Sequence, residues 1–139
     1  MLSLYGYWRS SAAYRVRIAL HLKEIAFESI SVHLVKDGGQ QFSDEYKAMN
    51  PASLVPYLID GDVKINQSMA MLEYLEEAYP QCALYPSELK DKAKVRALAN
   101  DIACDIHPLN NLRVLKHLVK ECGQDDKGKA DWIHHWINK

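Results

Sequence analysis

The amino-acid sequence predicts an α/β N-terminal domain of order βαβαββα followed by an all-α C-terminal domain. Three observations carry this expectation. Short runs alternating apolar and polar residues occur only before residue 66. Serines stand at the heads of amphipathic segments that separate those runs. Beyond the proline-bracketed stretch PQCALYP, at residues 80–86, only helical periodicity remains.

In chain order, residues 2–7 alternate at period two and stop at Trp8-Arg9-Ser10. The segment SAAYRVRIALHLK then puts Val16, Ala19, Leu20 and Lys23 on one helical face, with Ser10 or Ser11 as N-cap. Residues 27–34 read as a second strand, and KDGGQQ follows as a turn. Ser43-Asp44-Glu45 caps a short helix that ends near Asn50 and Pro51. Residues 55–59 and 63–65 form two strands joined by Asp60-Gly61-Asp62. Residues 66–79 form an amphipathic helix carrying Met69, Leu72 and Leu75. A parallel crossover followed by a hairpin and a last helix is the thioredoxin-like arrangement, with the crossover right-handed. The expected organisation is a thioredoxin-like domain at 1–80, a linker at 81–87 and helices at 88–139. The helical segments are 89–105, 108–122 and 130 onward, with Pro108 starting or kinking its helix.

Bulk composition bounds the function. With 139 residues, 48% hydrophobic and 25% charged, the chain can bury one core, or one and part of another. Seventeen basic residues against 18 acidic ones leave a net charge of −1, so nucleic acid and anionic membranes are not expected partners. The N-terminus has no leader pattern and no apolar stretch approaches the roughly 20 residues of a membrane span. A soluble, cytoplasmic protein is expected. Cys82, Cys104 and Cys122 form no CxxC pair and read as free, partly buried thiols. No histidine pair has ligand spacing, so no metal is expected.

Three junctions carry chemistry. Ser10 and Ser11 lie where a strand runs into a helix, where free N–H groups and the helix dipole favour an anion such as a thiolate. Taken alone, Ser10 reads as a helix cap. Pro56 in LVPYL stands at a strand start, and a cis bond before it would turn the Val55 N–H and C=O outward to pair with an extended peptide. Gln67 and Ser68 open another helix, where a carboxylate could sit or Ser68 could simply cap. An extended peptide with carboxylates and a thiol finds a partner at each junction, and glutathione is such a molecule.

The stretches RSSAAYRVRIALHLK, KDGGQQF, NPASLVPYL, QSMAMLEYLEEAYP and DIHPLNNLRVLKHL resemble the zeta-class glutathione transferases, a family that includes maleylacetoacetate isomerase. The resemblance covers residues 2–136. It implies that Ser10 meets the glutathione sulfur, with Ser11 and Arg15 in the same first-helix region. It implies that Gln41, Val55 and Pro56 meet the glutathione backbone and that Gln67 and Ser68 hold its γ-glutamyl end. His107, Asn111 and Arg113 would approach from the helical domain, and Arg9 and Arg113 would take the carboxylates of a small unsaturated dicarboxylic keto acid. The implied reaction isomerises maleylacetoacetate to fumarylacetoacetate in tyrosine and phenylalanine degradation, with glutathione as a nucleophilic cofactor and a homodimer as the assembly. Maleylpyruvate is the alternative substrate, and a non-catalytic binding module is the rival from another class.

Two departures qualify these expectations. Where many zeta members resemble SSC, this chain has Ser10-Ser11-Ala12. Family members also continue for several helices beyond the stretch matching WIHHWINK, so the helical domain is expected to be truncated and glutathione binding to be weak or to depend on a partner. Trp132, Ile133, Trp136 and Ile137 form one stripe in that stretch. Either missing chain covers it, or it packs on the preceding helices or a second copy.

Overall fold

A computed structural model describes residues 1–138, and the chain divides into two compact units, Met1–Tyr85 and Pro86–Lys139. In the first, strand β1 (Leu2–Gly6) lies inside a four-stranded sheet of order β2-β1-β3-β4. It pairs in parallel with β2 (Phe27–Ser31) and antiparallel with β3 (Tyr57–Asp60), which pairs antiparallel with β4 (Val63–Asn66). Side-chain alternation divides the sheet's faces. Leu2, Leu4 and Leu58 join Val16, Ala19 and Leu20 of α1 (Ser11–Leu22) and Met71 and Leu75 of α3 (Ser68–Ala78) in the larger core. Tyr57 and Val32 pack with Tyr46 of α2 (Asp44–Met49), and Tyr5 and Ile59 border that smaller cluster. The expected βαβαββα order and thioredoxin-like architecture are present.

Lys23 continues the buried stripe of α1, although its ammonium needs partners there. Its Nζ lies 2.7 Å from Glu76 Oε2 and donates to the carbonyls of Tyr79 at 2.8 Å and Gln81 at 3.4 Å. Glu76 in turn accepts the N–H of Leu84 at 3.0 Å and of Tyr85 at 3.3 Å. The end of α1 is thereby tied to α3 and to residues 79–85. Burial alone would raise the Glu76 pKa, but the N–H groups of Leu84 and Tyr85 together with Lys23 hold it below its ordinary value.

A second tie joins α3 to β3, where Asp60 Oδ2 accepts the hydroxyls of Tyr74 at 2.9 Å and Tyr79 at 2.6 Å. The bond to Asp60, aided by burial, pushes the Tyr79 pKa from 10.0 to about 12. A raised pKa favours the folded state while the phenol keeps its proton. Stability from this group is therefore complete below pH 10.0 and is lost as pH rises towards about 12. Urea unfolding between pH 8 and pH 11.5 should show that decline in the parent and a shallower one in Tyr79→Phe.

Element ends differ from the sequence expectation for identifiable reasons. Strand β2 stops at Ser31, three residues early, and only the Val32 N–H still reaches Gly6 O, at 2.8 Å. In the second unit, α4 (Leu89–Asn100) runs into a π-helical turn at Asp101–Ile106. The expected 108–122 helix is broken. His107–Asn110 forms a 3₁₀ turn around Pro108, and extended Asn111 caps α5 (Leu112–Lys120) by accepting the Arg113 N–H at 3.2 Å. Helix α6 (Asp126–Ile137) starts four residues before the expected Ala130. Asp125 caps it at Gly128 N–H, 2.8 Å away, and the exposed pairs Lys127–Asp131 and Lys129–Asp126 support its first turns. Cap chemistry thus outweighs the Gly128 penalty. Trp132 of the apolar stripe packs within its own unit, donating Nε1–H to Leu109 O at 2.8 Å. Ile137 remains 57% exposed.

The cysteine expectation is corrected. All three thiols are free, as read, but exposed rather than partly buried. Cys82 sits in the linker stretch with φ 54°, Cys104 on the outer side of the π-helical turn, and Cys122 beyond the end of α5. None has a core to enter. No described helix is long and apolar enough to cross a membrane.

Candidate functional site

The sheet register gathers the connections. Tyr5 stands opposite Tyr57, and Tyr57 opposite Asn66, while Gly6 pairs with Ser31. The turn before α1, the loop after β2, the approach to β3 and the start of α3 therefore all lie at one end of the sheet. Ser10, Gln41, Val55, Gln67 and Ser68 belong to those four segments.

At the first, the Ser10 N–H closes a turn on Tyr7 O at 2.9 Å, and Arg17 reaches the carbonyls of Tyr7 and Trp8 at 3.4 and 3.3 Å. Ser10 has extended backbone, and its Oγ accepts the Ala13 N–H at 3.2 Å. The hydroxyl hydrogen is not used by that bond, so capping and donation to an anion are compatible. No acidic residue stands in the first turn of α1 to offset its positive end. Ser11 opens the helix and is exposed. Arg9 is also exposed, its guanidinium 5.6 Å from the Trp8 ring centre.

Arg15 reaches the start of α3. Its Nη1 donates to Ser68 Oγ at 2.9 Å, which places a positive charge at the start of α3. Ser68 is buried and is the first residue of α3 rather than its capping residue, so the simple-cap reading of this serine does not hold. The capping position belongs to Gln67, exposed and with φ 74°, a left-handed conformation that costs a non-glycine residue energy and marks a constrained turn.

The Val55–Pro56 peptide is cis, the condition under which the Val55 backbone would turn outward. Val55 is half-buried and Pro56 buried. Just before them, Leu54 O accepts from Tyr46 Oη at 2.7 Å and from Asn50 Nδ2 at 2.8 Å, which holds the approach to β3 on α2. Asn50 is 1% exposed. The sequence reading missed both donors, although a buried polar pair spaced i, i+4 facing a proline loop is a usable signal.

Gln41 is 5% exposed, and its Oε1 has no hydrogen-bond donor among the described residues. A buried acceptor left without a donor costs about 1–3 kcal/mol, so this atom is an energetic exception within the loop. Gly39, with φ 108°, has no Cβ for good reason. One there would lie 2.7 Å from Gln41 Nε2.

In the second unit, His107 is half-buried at the junction of the π and 3₁₀ turns, Asn111 caps α5, and Arg113 is exposed in its first turn. Neighbouring Asn110 carries both side-chain polar atoms buried without partners among the described residues. No cluster of three metal-ligating side chains occurs among the described residues.

Residues 4–83 match the family model described as glutathione S-transferase, N-terminal domain. The chain is 53% identical over 138 residues to a probable maleylacetoacetate isomerase of Vibrio cholerae, covering 99% of this chain and 64% of that protein. It is similar to a solved holo maleylpyruvate isomerase described as a bacterial zeta-class glutathione S-transferase. There the identity is 44% and the TM-score 0.93, over 98% of this chain and 63% of that one. It is also similar to a maleylacetoacetate isomerase of Methylobacterium extorquens solved with bound malonate and glutathione. For that structure the values are 41% and 0.92, over 98% and 63% of the two chains. The chain thus spans just under two thirds of these relatives, 63–64% of their length. A four-stranded sheet with its serine-capped first helix, matched over most of its length, makes this chain a member of the glutathione S-transferase family through its N-terminal domain at residues 4–83.

Proposed function

We propose that the first unit binds glutathione and that the protein is a glutathione-dependent cis–trans isomerase acting on maleylacetoacetate, in the cytoplasm and as a homodimer. The observation that carries this reading is the buried Gln41 Oε1 without a donor, one of four connections leaving the same end of the sheet. A peptide N–H completes it. The Val55 backbone can pair with an extended ligand as an added strand. Ser68 and Arg15, beside the positive end of α3, provide for the γ-glutamyl carboxylate.

Bound glutathione supplies a nucleophilic thiol that adds reversibly to the cis double bond, so that rotation about it becomes possible. Ser10 donates its hydroxyl hydrogen to the sulfur. A hydrogen bond to a charged acceptor contributes roughly 1.5–3 kcal/mol, which corresponds to about one to two pKa units of thiol acidification. Ser11 and Ala12 add the first N–H groups of α1. Within the first unit, the exposed guanidinium of Arg9 provides for a carboxylate of the keto acid. Such a reaction serves tyrosine and phenylalanine degradation.

Retention on immobilised glutathione, followed by isomerisation of maleylacetone with and without free glutathione, tests the proposal. Retention and strictly glutathione-dependent turnover are expected. Retention without turnover would favour a binding module instead. A second substrate, maleylpyruvate, is favoured by the likeness to the maleylpyruvate isomerase structure. Comparing kcat/KM for the two acids ranks them.

A further inference from the structure

The loop between β2 and α2 closes around one imidazole. His33 Nδ1 accepts the N–H of Lys36 at 2.9 Å and of Val35 at 3.3 Å. A nitrogen that accepts two N–H groups carries no hydrogen, so the ring proton sits on Nε2. Gln40 closes the loop from its other side. Its Oε1 accepts the His33 N–H at 2.8 Å, and its own N–H donates to His33 O at 2.8 Å. The next residue is Gln41, packed over Gly39. The His33 ring also lies against Tyr7, centroids 4.9 Å apart, in the turn that ends at Ser10.

We propose that His33 is a positioning residue for the bound tripeptide, setting the place of the Gln41 acceptor through its Nδ1 and its pairing with Gln40. The proposal rests on the glutathione reading above. A loop containing Gly38 and Gly39 has much backbone freedom to lose, and an acceptor ordered only on binding shows that loss as weaker affinity. With the loop closed beforehand, Gln41 Oε1 waits in place. An asparagine Oδ1 hangs from Cγ as the histidine Nδ1 does, so Asn can supply the same acceptor without the ring.

Two opposite substitutions separate acceptor from packing. His33→Phe keeps a ring beside Tyr7 and removes the acceptor, whereas His33→Asn keeps an acceptor and removes the ring. Glutathione affinity is read by calorimetry, KM for glutathione and kcat by the isomerisation assay, and loop order by amide exchange at residues 35–42. His33→Phe is expected to bind glutathione about tenfold more weakly. Its kcat at saturating glutathione should stay near the parent value and the Lys36 amide should exchange faster. His33→Asn should return close to the parent in all three. Parent-like binding by His33→Phe, or equal losses in both variants, would overturn the inference while leaving the glutathione site standing. A parent that does not bind glutathione would remove the glutathione reading and the role of His33 with it. Should His33→Phe not fold, His33→Ala read against His33→Asn decides by the same measurements.

Discussion

Lys23→Met is expected to lower the stability of the folded chain by about 3–5 kcal/mol, because removing one partner of a buried ion pair leaves the other uncompensated. Methionine fills the space of the lysine stem, so the loss is mostly electrostatic and hydrogen-bonding. The carbonyls of Tyr79 and Gln81 lose their donor, and the Glu76 carboxylate, 16% exposed, keeps only the N–H groups of Leu84 and Tyr85. Urea unfolding at neutral pH measures it. Lys23→Met combined with Glu76→Gln should recover part of the loss, since the neutral amide oxygen still accepts from Leu84 and Tyr85. A loss below about 1 kcal/mol in the single variant would mean that the pair contributes no more than an exposed one.

Ser10→Ala carries the second large effect, and it acts on two quantities. The lost cap bond to Ala13 costs about 0.5–2 kcal/mol of stability. If Ser10 acts as proposed, the lost hydroxyl donor removes roughly 1.5–3 kcal/mol of thiolate stabilisation, and turnover near neutral pH should fall by about 10- to 100-fold. Ser10→Asp separates the two. Aspartate caps as well as serine, but its charge opposes a nearby thiolate, so folding should be retained while turnover falls further. Thermal unfolding alongside glutathione-dependent isomerisation rates distinguishes these outcomes. If Ser10→Ala turns over like the parent, another group acidifies the thiol.

Much of the first unit was legible because short-range chemistry and tertiary packing agree there. The stripe on α1 grouped Val16, Ala19, Leu20 and Lys23, all of them buried, and of the two candidate caps, Ser10 and Ser11, it is Ser10 that caps. Pro56 at a strand start left room for the cis bond that is present there. Long-range partners were the opaque part. Nothing near Lys23 announces Glu76, 53 positions later, and nothing near Arg15 announces Ser68. A lysine falling on an apolar stripe was nevertheless a visible sign of a buried partner. The loop after β2 was legible only as a glycine turn. That His33 organises it follows from a side-chain acceptor, which periodicity does not report. In the second unit, weak core formation left helix ends to caps, and Asn111 and Asp125 reset boundaries that hydrophobic spacing had placed elsewhere.

The length of α1 sets a division of labour. Ser10 caps one end and Lys23 the other, with 12 helical residues, or about 18 Å, between them. The cation that secures the helix thus stands far from the hydroxyl proposed to meet the sulfur. Substitutions around the serine turn can change reactivity or ligand preference while the anchor at the far end keeps the helix seated, and a weakened anchor can be repaired without touching the chemistry.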